Sequence, residues 1–165
     1  MGPSNFQLWR SFAKEAMDAS MLVVNFFCFL QVTRTHIFNA ASVSGPSMLP
    51  TFNLSGDIVL VDRISPRLGK IGRGDIVLVR SPENPRKVIT KRLIGIEGDR
   101  MTIAVDPQSI GDDCKTVIVP KGHVWVQGDN VYESRDSRTF GAVPYALLQG
   151  RVFGRVWPFK DFGAL

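Results

Sequence analysis

The 165-residue sequence predicts a mainly β protein, with a compact β domain preceded by one membrane-spanning or membrane-associated apolar helix. Three observations carry that prediction. From Ala40 onward, short β-branched and aliphatic runs alternate with Gly, Pro, Asp and Ser. Nothing after that point sustains apolar helical spacing over three turns. The longest apolar run, Met21 to Thr33, stands by itself ahead of the β pattern. The chain thus divides into residues 1–39, with a helix at about 17–36, and residues 40–165, which form the β domain.

The first element reads MLVVNFFCFLQVT, interrupted by Asn25 and Gln31. It is shorter than the roughly 20 residues a spanning helix needs, and extending it backward brings in Asp18. Three readings stay open: a marginal transmembrane helix, an uncleaved signal-type anchor, or a buried core helix. A cleavable signal peptide is disfavoured, because no small-residue cleavage site follows at once. Arg10 and Lys14 favour keeping the preceding end on the positive side and sending residues after Arg34 across, although Arg34 itself weakens this argument.

The β grammar then places strands at 57–61, 75–79, 88–96, 101–105, 116–119, 124–127 and 150–157. The hexapeptide Gly56-Asp57-Ile58-Val59-Leu60-Val61 recurs as Gly74-Asp75-Ile76-Val77-Leu78-Val79. Two copies do not make a solenoid; they mark two strands entered through the same Gly-Asp turn. Asp57, Asp62, Arg73 and Asp75 are read as structural members of this strand pair. Trp125, Trp157 and Phe159 are read as core or membrane-interface residues.

Composition narrows the function classes. The net charge of +5, from 20 basic and 15 acidic residues, favours acidic partners in principle. The basic residues are scattered, however, and no nucleic-acid-binding motif accompanies them. Cys28 lies in the apolar run and Cys114 in a polar stretch, which argues against a disulfide. Two cysteines with His36 and His123 at unrelated spacings make no zinc site, so neither metal nor cofactor is expected.

Ser47, in Ser44-Gly45-Pro46-Ser47-Met48-Leu49-Pro50-Thr51, and Lys91, in Lys91-Arg92-Leu93-Ile94-Gly95-Ile96-Glu97-Gly98-Asp99, form the candidate catalytic pair. A serine hydroxyl needs a base, and neither histidine lies in a recognisable triad motif. A lysine can serve where burial favours its neutral amine, and the apolar residues around Lys91 suit that state. A third stretch, Gly128-Asp129-Asn130-Val131-Tyr132-Glu133-Ser134-Arg135-Asp136-Ser137-Arg138, reads locally as a polar loop of turn formers. It also offers Ser134 as a lysine partner and Asp136 with Arg138 as a buttress.

Together these stretches resemble, in order, the sequence boxes of the type I signal peptidase family, membrane-bound Ser-Lys endopeptidases. The resemblance runs from about Val43 to Phe162, through Ser47-Met48-Leu49-Pro50-Thr51, Arg73-Gly74-Asp75-Ile76-Val77, Lys91-Arg92 with Gly95, Gly98 and Asp99, and Gly128-Asp129-Asn130 with Ser134, Asp136, Ser137 and Arg138. Within the family the chain looks most like the mitochondrial inner membrane subunit 1 group. The short span from the lysine box to Gly128, Gly45-Pro46, Pro144-Tyr145, Trp157-Pro158 and Asp161-Phe162-Gly163 carry that likeness.

The resemblance implies a signal-peptidase-like β domain and an N-terminal anchor. Ser47 would be the nucleophile and Lys91 the general base, with Ser134 holding the amine and Asp136 and Arg138 bracing the loop. The Ser47 backbone N–H would serve as an oxyanion donor, and Met48 would lie in the cleft. It further implies precursor proteins with sorting or signal peptides as substrates, and a second related catalytic subunit as partner. The location would be the mitochondrial inner membrane with the domain facing the intermembrane space, or else a bacterial or plastid membrane. Many bacterial relatives carry a hydroxyl residue two positions before the nucleophile; Gly45 here leaves the second oxyanion donor unassigned. Two other classes stand beside this one. A self-cleaving Ser-Lys regulator calls for an N-terminal helix-turn-helix where this chain has an apolar run, and a non-catalytic scaffold subunit calls for loss of Ser47 or Lys91.

Overall fold

The computed structural model describes residues 5–104 and 114–165, and these fall into two compact units, Met1–Ile37 and Phe38–Leu165. The first unit is a single helix, α1 (Asn5–His36), longer than the 17–36 expected. Its Phe12–His36 portion has 25 residues and a mean hydropathy of 1.5. At about 1.5 Å per residue it extends roughly 37 Å, more than the ~30 Å of a bilayer core. None of its apolar window is buried in protein, and Phe26, Phe27, Phe29 and Leu30 are all exposed. The core-helix reading therefore fails. A helix that is apolar around its circumference and unburied is long and apolar enough to cross a membrane.

The second unit is antiparallel β throughout. Its strands are β1 (Phe38–Val43), β2 (Asp57–Asp62), β3 (Ile76–Arg80), β4 (Val88–Gly95), β5 (Arg100–Ala104), β6 (Cys114–Ile118), β7 (His123–Gln127), β8 (Val143–Pro144), β9 (Leu148–Trp157) and β10 (Gly163–Ala164). One sheet runs β1-β2-β9-β3-β4-β7-β8, with β10 also on β9, while β5 and β6 form a separate hairpin. Only short helices interrupt the described part of this unit: α2 (Ile64–Arg67), α3 (Ser137–Phe140) and three single 3-10 turns. β9 is the long central strand, pairing β2 along residues 151–157 and β3 along 148–152. Bulges in both pairings bend the sheet.

Every strand expected from the sequence is present, with shifted ends. β4 stops at Gly95, β6 covers 114–118 and β9 starts at Leu148. Val105, expected in the fifth strand region, lies outside the described residues. β1, β8 and β10 were not expected. β1 crosses the boundary drawn at residue 40 because its partner, and not its own Phe-Asn-Ala-Ala-Ser-Val composition, makes it a strand: it pairs residue for residue with β2.

The repeated hexapeptide occupies two different environments. In β2, Val59 and Val61 are buried whereas Ile58 is exposed. In β3, alternate residues feed two cores: Ile76 packs with Val43, Met48, Phe52 and Val152, and Val77 and Val79 pack with Leu93, Val124, Val126 and Val143. The shared turn chemistry is local. Gly56 and Gly74 both have positive φ, 90° and 93°, which glycine adopts without strain. Asp57 accepts from the Asn53 backbone and side-chain amides at 2.7 and 2.9 Å, and Asp75 accepts from the Gly72 N–H at 2.8 Å. Trp125 is fully buried, whereas Trp157 and Phe159 are exposed and stack edge-to-face at 4.8 Å, which corrects a core reading for the latter two.

Candidate active site

β4 carries Lys91 inward at the centre of the sheet, opposite Val77 of β3, where only 2% of it remains exposed. A primary amine so placed loses hydration of its charged form. Burial, opposed by Asp136 and reinforced by Arg138 and Lys87, lowers its pKa to about 8. Nζ donates to Ser134 Oγ at 2.9 Å, and Ser134 Oγ donates onward to Asp136 Oδ2 at 2.6 Å. Because the serine gives its only proton to the carboxylate, it must accept from the lysine. That fixes the amine's orientation.

Asp136 is completely buried. It accepts from the Gly128 N–H at 2.8 Å and from Arg138 through backbone N–H (3.1 Å), Nε (2.9 Å) and Nη2 (2.6 Å). Burial alone would raise its pKa, but the hydrogen bonds from Arg138, Gly128 and Ser134 bring it below the ordinary carboxylate value. The same residue caps α3 through the Arg138 N–H. The loop after β7 is thus wound around one ionised carboxylate.

Ser47 lies in the 3-10 turn Pro46–Met48 and shares a cleft of about 310 Å³ with Lys91. Its hydroxyl makes no hydrogen bond within the described residues, and its backbone N–H is likewise unengaged. Serine and lysine face one cavity, and a hydrogen bond between a nucleophile and its base often tightens only in the Michaelis complex. Met48 does two things at once: it lines the cleft and fills the core beside Phe52, with 1% exposure. Gly45 has φ 111° and ψ 160°, a conformation essentially reserved for glycine, and its N–H is spent on the Leu54 carbonyl at 2.8 Å. A hydroxyl-bearing residue is therefore disfavoured at 45 by the backbone itself. Ser42 and Ser44 are the hydroxyls left on that wall of the cleft.

A second network, which sequence reasoning did not assign, ties the three stretches together. Arg92, whose side chain leaves β4 on the opposite face from Lys91, grips Asp129 with Nε at 2.8 Å and Nη2 at 2.7 Å, and reaches the Gly74 carbonyl with Nη1 at 2.8 Å. Thr51 Oγ1 donates to Asp129 Oδ2 at 2.5 Å. Asn130 holds the nucleophile turn by its backbone N–H to the Ser47 carbonyl and by Nδ2 to the Pro46 carbonyl, both at 3.1 Å. The available signal was their place in the quoted boxes: Thr51, Arg92, Asp129 and Asn130 stand in the same stretches as the candidate residues, with no role of their own read from the sequence. Gly128 closes the arrangement, since a Cβ there would lie 2.2 Å from Ser134 Oγ and 2.4 Å from the Ser47 carbonyl oxygen. Among the described residues no cluster of His, Cys, Asp or Glu is arranged to hold a metal ion.

Comparison with known proteins places this geometry in a family. The family described as signal peptidase, peptidase S26, matches residues 16–113 and 105–157. The mitochondrial ATP-independent inner membrane protease subunit 1a of Arabidopsis thaliana is 53% identical over 162 residues, covering 98% of this chain and 96% of that one. The mitochondrial inner membrane protease subunit 1 of Mus musculus is 41% identical over 142 residues, covering 86% and 83%. The subunit 2 protein of Danio rerio is 41% identical over 143 residues, covering 82% and 75%. The chain belongs to the signal peptidase family, peptidase S26, and is a serine endopeptidase.

Two outcomes follow from the geometry. A Lys91 base predicts peptide cleavage that rises with pH along a limb centred near pH 8, since only the unprotonated amine accepts a proton; kcat/KM measured across pH 6–10 (about two units either side of the pKa) checks this. Gly128→Ala should retain a folded sheet by circular dichroism yet lower kcat/KM by at least about 100-fold, because its methyl displaces Ser134 or the Ser47 turn.

Proposed function

We propose that this peptidase removes N-terminal sorting or signal peptides from precursor proteins at the mitochondrial inner membrane, with Ser47 as nucleophile and Lys91 as general base. The observation that carries the reading is a lysine 2% exposed, held through Ser134 by the buried Asp136, in the same cleft as a serine on a tight turn. Ser47 Oγ attacks the scissile carbonyl while Lys91 Nζ takes its proton. The resulting oxyanion lies toward the unengaged Ser47 N–H. Lys91 returns the proton to the departing amine, leaving an acyl-serine. Water, deprotonated by the same amine, then releases the acid and restores Ser47. Ser134 keeps one amine hydrogen occupied, so the nitrogen lone pair stays available to the cleft. Asp136 and Arg138 hold that serine, and Met48 shapes the cleft floor.

The helix α1 acts as the anchor, with the segment up to Ile37 at the membrane and Phe38–Leu165 as the catalytic domain. Tethering enzyme and membrane-bound precursors to one surface raises their effective concentration for each other. Arg10, ahead of the Phe12–His36 portion, and Lys14, in its first turn, favour a matrix-side N-terminus and a catalytic domain in the intermembrane space. The names of the relatives distinguish a subunit 1 and a subunit 2, which supports a second, related catalytic subunit as partner. The self-cleaving regulator gains no support, since a single long helix stands where it needs a helix-turn-helix.

Ser47→Ala and Lys91→Ala should each abolish precursor cleavage while leaving the protein folded and membrane-bound. Lys91→Arg should fail as well, because a guanidinium supplies no neutral base. The check is a purified assay free of related proteases, with product N-termini mapped by mass spectrometry; full processing by either alanine variant would exclude the Ser-Lys mechanism.

A further inference from the structure

The turn that carries Ser47 continues to Phe52, and its far end is held by an arginine of β9. We propose that Arg155 is a positioning residue for the peptidase reaction: it sets the turn that places Ser47, and through Asp161 it makes the 3-10 turn Phe159–Asp161 part of the catalytic frame. The inference rests on the reading of Ser47 as nucleophile given above.

Three contacts carry the proposal. Arg155 Nη2 donates to the Thr51 carbonyl. The guanidinium lies over the Phe52 ring, 5.2 Å from its centre, and Phe52 is buried in the core that also holds Met48. Nη1 stands 3.7 Å from Asp57 and 3.6 Å from Asp161, so two carboxylates fix the charge from either side. The arginine side chain is 10% exposed and Asp57 is fully buried, and solvent screens such charges little. Nε is buried with no partner among the described residues, so the hold on the turn is made by Nη1, Nη2 and the face of the guanidinium.

Thr51 is where this hold meets the one already described. Its hydroxyl goes to Asp129, which Arg92 of β4 grips, and its carbonyl goes to Arg155 of β9. Between Ser47 and Thr51 the backbone closes on itself: the Leu49 N–H donates to the Pro46 carbonyl at 3.2 Å and the Phe52 N–H to the Met48 carbonyl at 3.0 Å. A turn braced in this way moves as a unit, so a displacement at Thr51 and Phe52 reaches Ser47. A shift of about 1 Å in a reacting group is enough to cost roughly 100-fold in rate. Lysine cannot stand in for the arginine, because a point charge has no planar fork to cover the ring while it bridges a carbonyl and two carboxylates. The cleft walls at residues 42–46 and 87–90 receive no polar contact from the Arg155 side chain, and neither does the Lys91–Ser134–Asp136 chain. The effect therefore falls on kcat and leaves KM and the pH limb in place.

The test uses the full chain in phosphatidylcholine nanodiscs and a precursor peptide spanning a cleavage site mapped with the unsubstituted chain. Arg155→Lys should lower kcat per folded molecule by roughly tenfold or more, with KM and the midpoint of the pH limb unchanged. Asp161→Asn should lower kcat in the same direction by less, and the double variant should be no slower than Arg155→Lys alone, because both act through one guanidinium. A lowered Tm with unchanged kcat per folded molecule, a rise in KM alone, or an additive loss in the double variant would overturn the proposal. If Arg155→Lys does not fold, Asp161→Asn, at a partly exposed position, decides by the same two constants. Ser47→Ala run in parallel separates the two levels. Cleavage by that variant removes the nucleophile reading itself, whereas an inactive Ser47→Ala beside an unimpaired Arg155→Lys removes this inference alone.

Discussion

A fully buried carboxylate must be satisfied on all its lone pairs or it will not stay ionised, and Asp136 is that carboxylate. The Gly128 amide, the Ser134 hydroxyl and three donors of Arg138 satisfy it, and each is thereby fixed in position. Ser134 is fixed with its lone pairs toward Lys91, and the lysine amine is fixed in turn. Losing one partner of such a buried pair typically costs about 3–5 kcal/mol, well beyond the value of an exposed ion pair. The same carboxylate that orients the lysine also favours its protonated form. Burial outweighs that pull, which is why the amine titrates near 8 and not at its ordinary 10.5.

The Arg92–Asp129–Thr51 network does for the turn that carries Ser47, the proposed nucleophile, what Asp136 does for Lys91, the proposed base. Lys91 and Arg92 are neighbours on β4 and leave it on opposite faces, one toward the cleft and one toward the turn that follows Ser47. A single strand thereby registers both halves of the site against each other. Asn130 completes the link by holding two carbonyls of the nucleophile turn. The positive φ of Gly45 disfavours a hydroxyl residue there, so in the proposed mechanism the oxyanion relies on the Ser47 N–H, with Ser42 and Ser44 the hydroxyls on the same wall.

Much of this was legible in the sequence, for reasons that differ by residue. Strands β2, β3, β4, β7 and β9 announced themselves by apolar runs between turn formers. The Gly-Asp entries predicted turns because their chemistry is local, as Asp57 with Asn53 and Asp75 with Gly72 show. The hexapeptide repeat did not reveal that one copy is buried on one face and the other on both, because burial depends on which strands flank it. β1 escaped for the same reason. The Thr51–Asp129 and Arg92–Asp129 contacts span 78 and 37 residues, and nothing in local pattern announces partners so distant. The N-terminal segment looked too short to span because the apolar run covers only Met21 to Thr33 and extending it backward meets Asp18, whereas the helix continues through Asp18 to Asn5.

The account depends on burial lowering the Lys91 pKa to about 8, so that a useful fraction of the amine is unprotonated near neutral pH while the loop around Asp136 is intact. Direct titration of the Lys91 Nζ resonance by nitrogen-15 NMR in the full-length protein tests this most directly. The structure predicts a pKa of about 8. A value at the ordinary 10.5 would mean that burial does not hold the amine neutral, and the lysine could not then be the base.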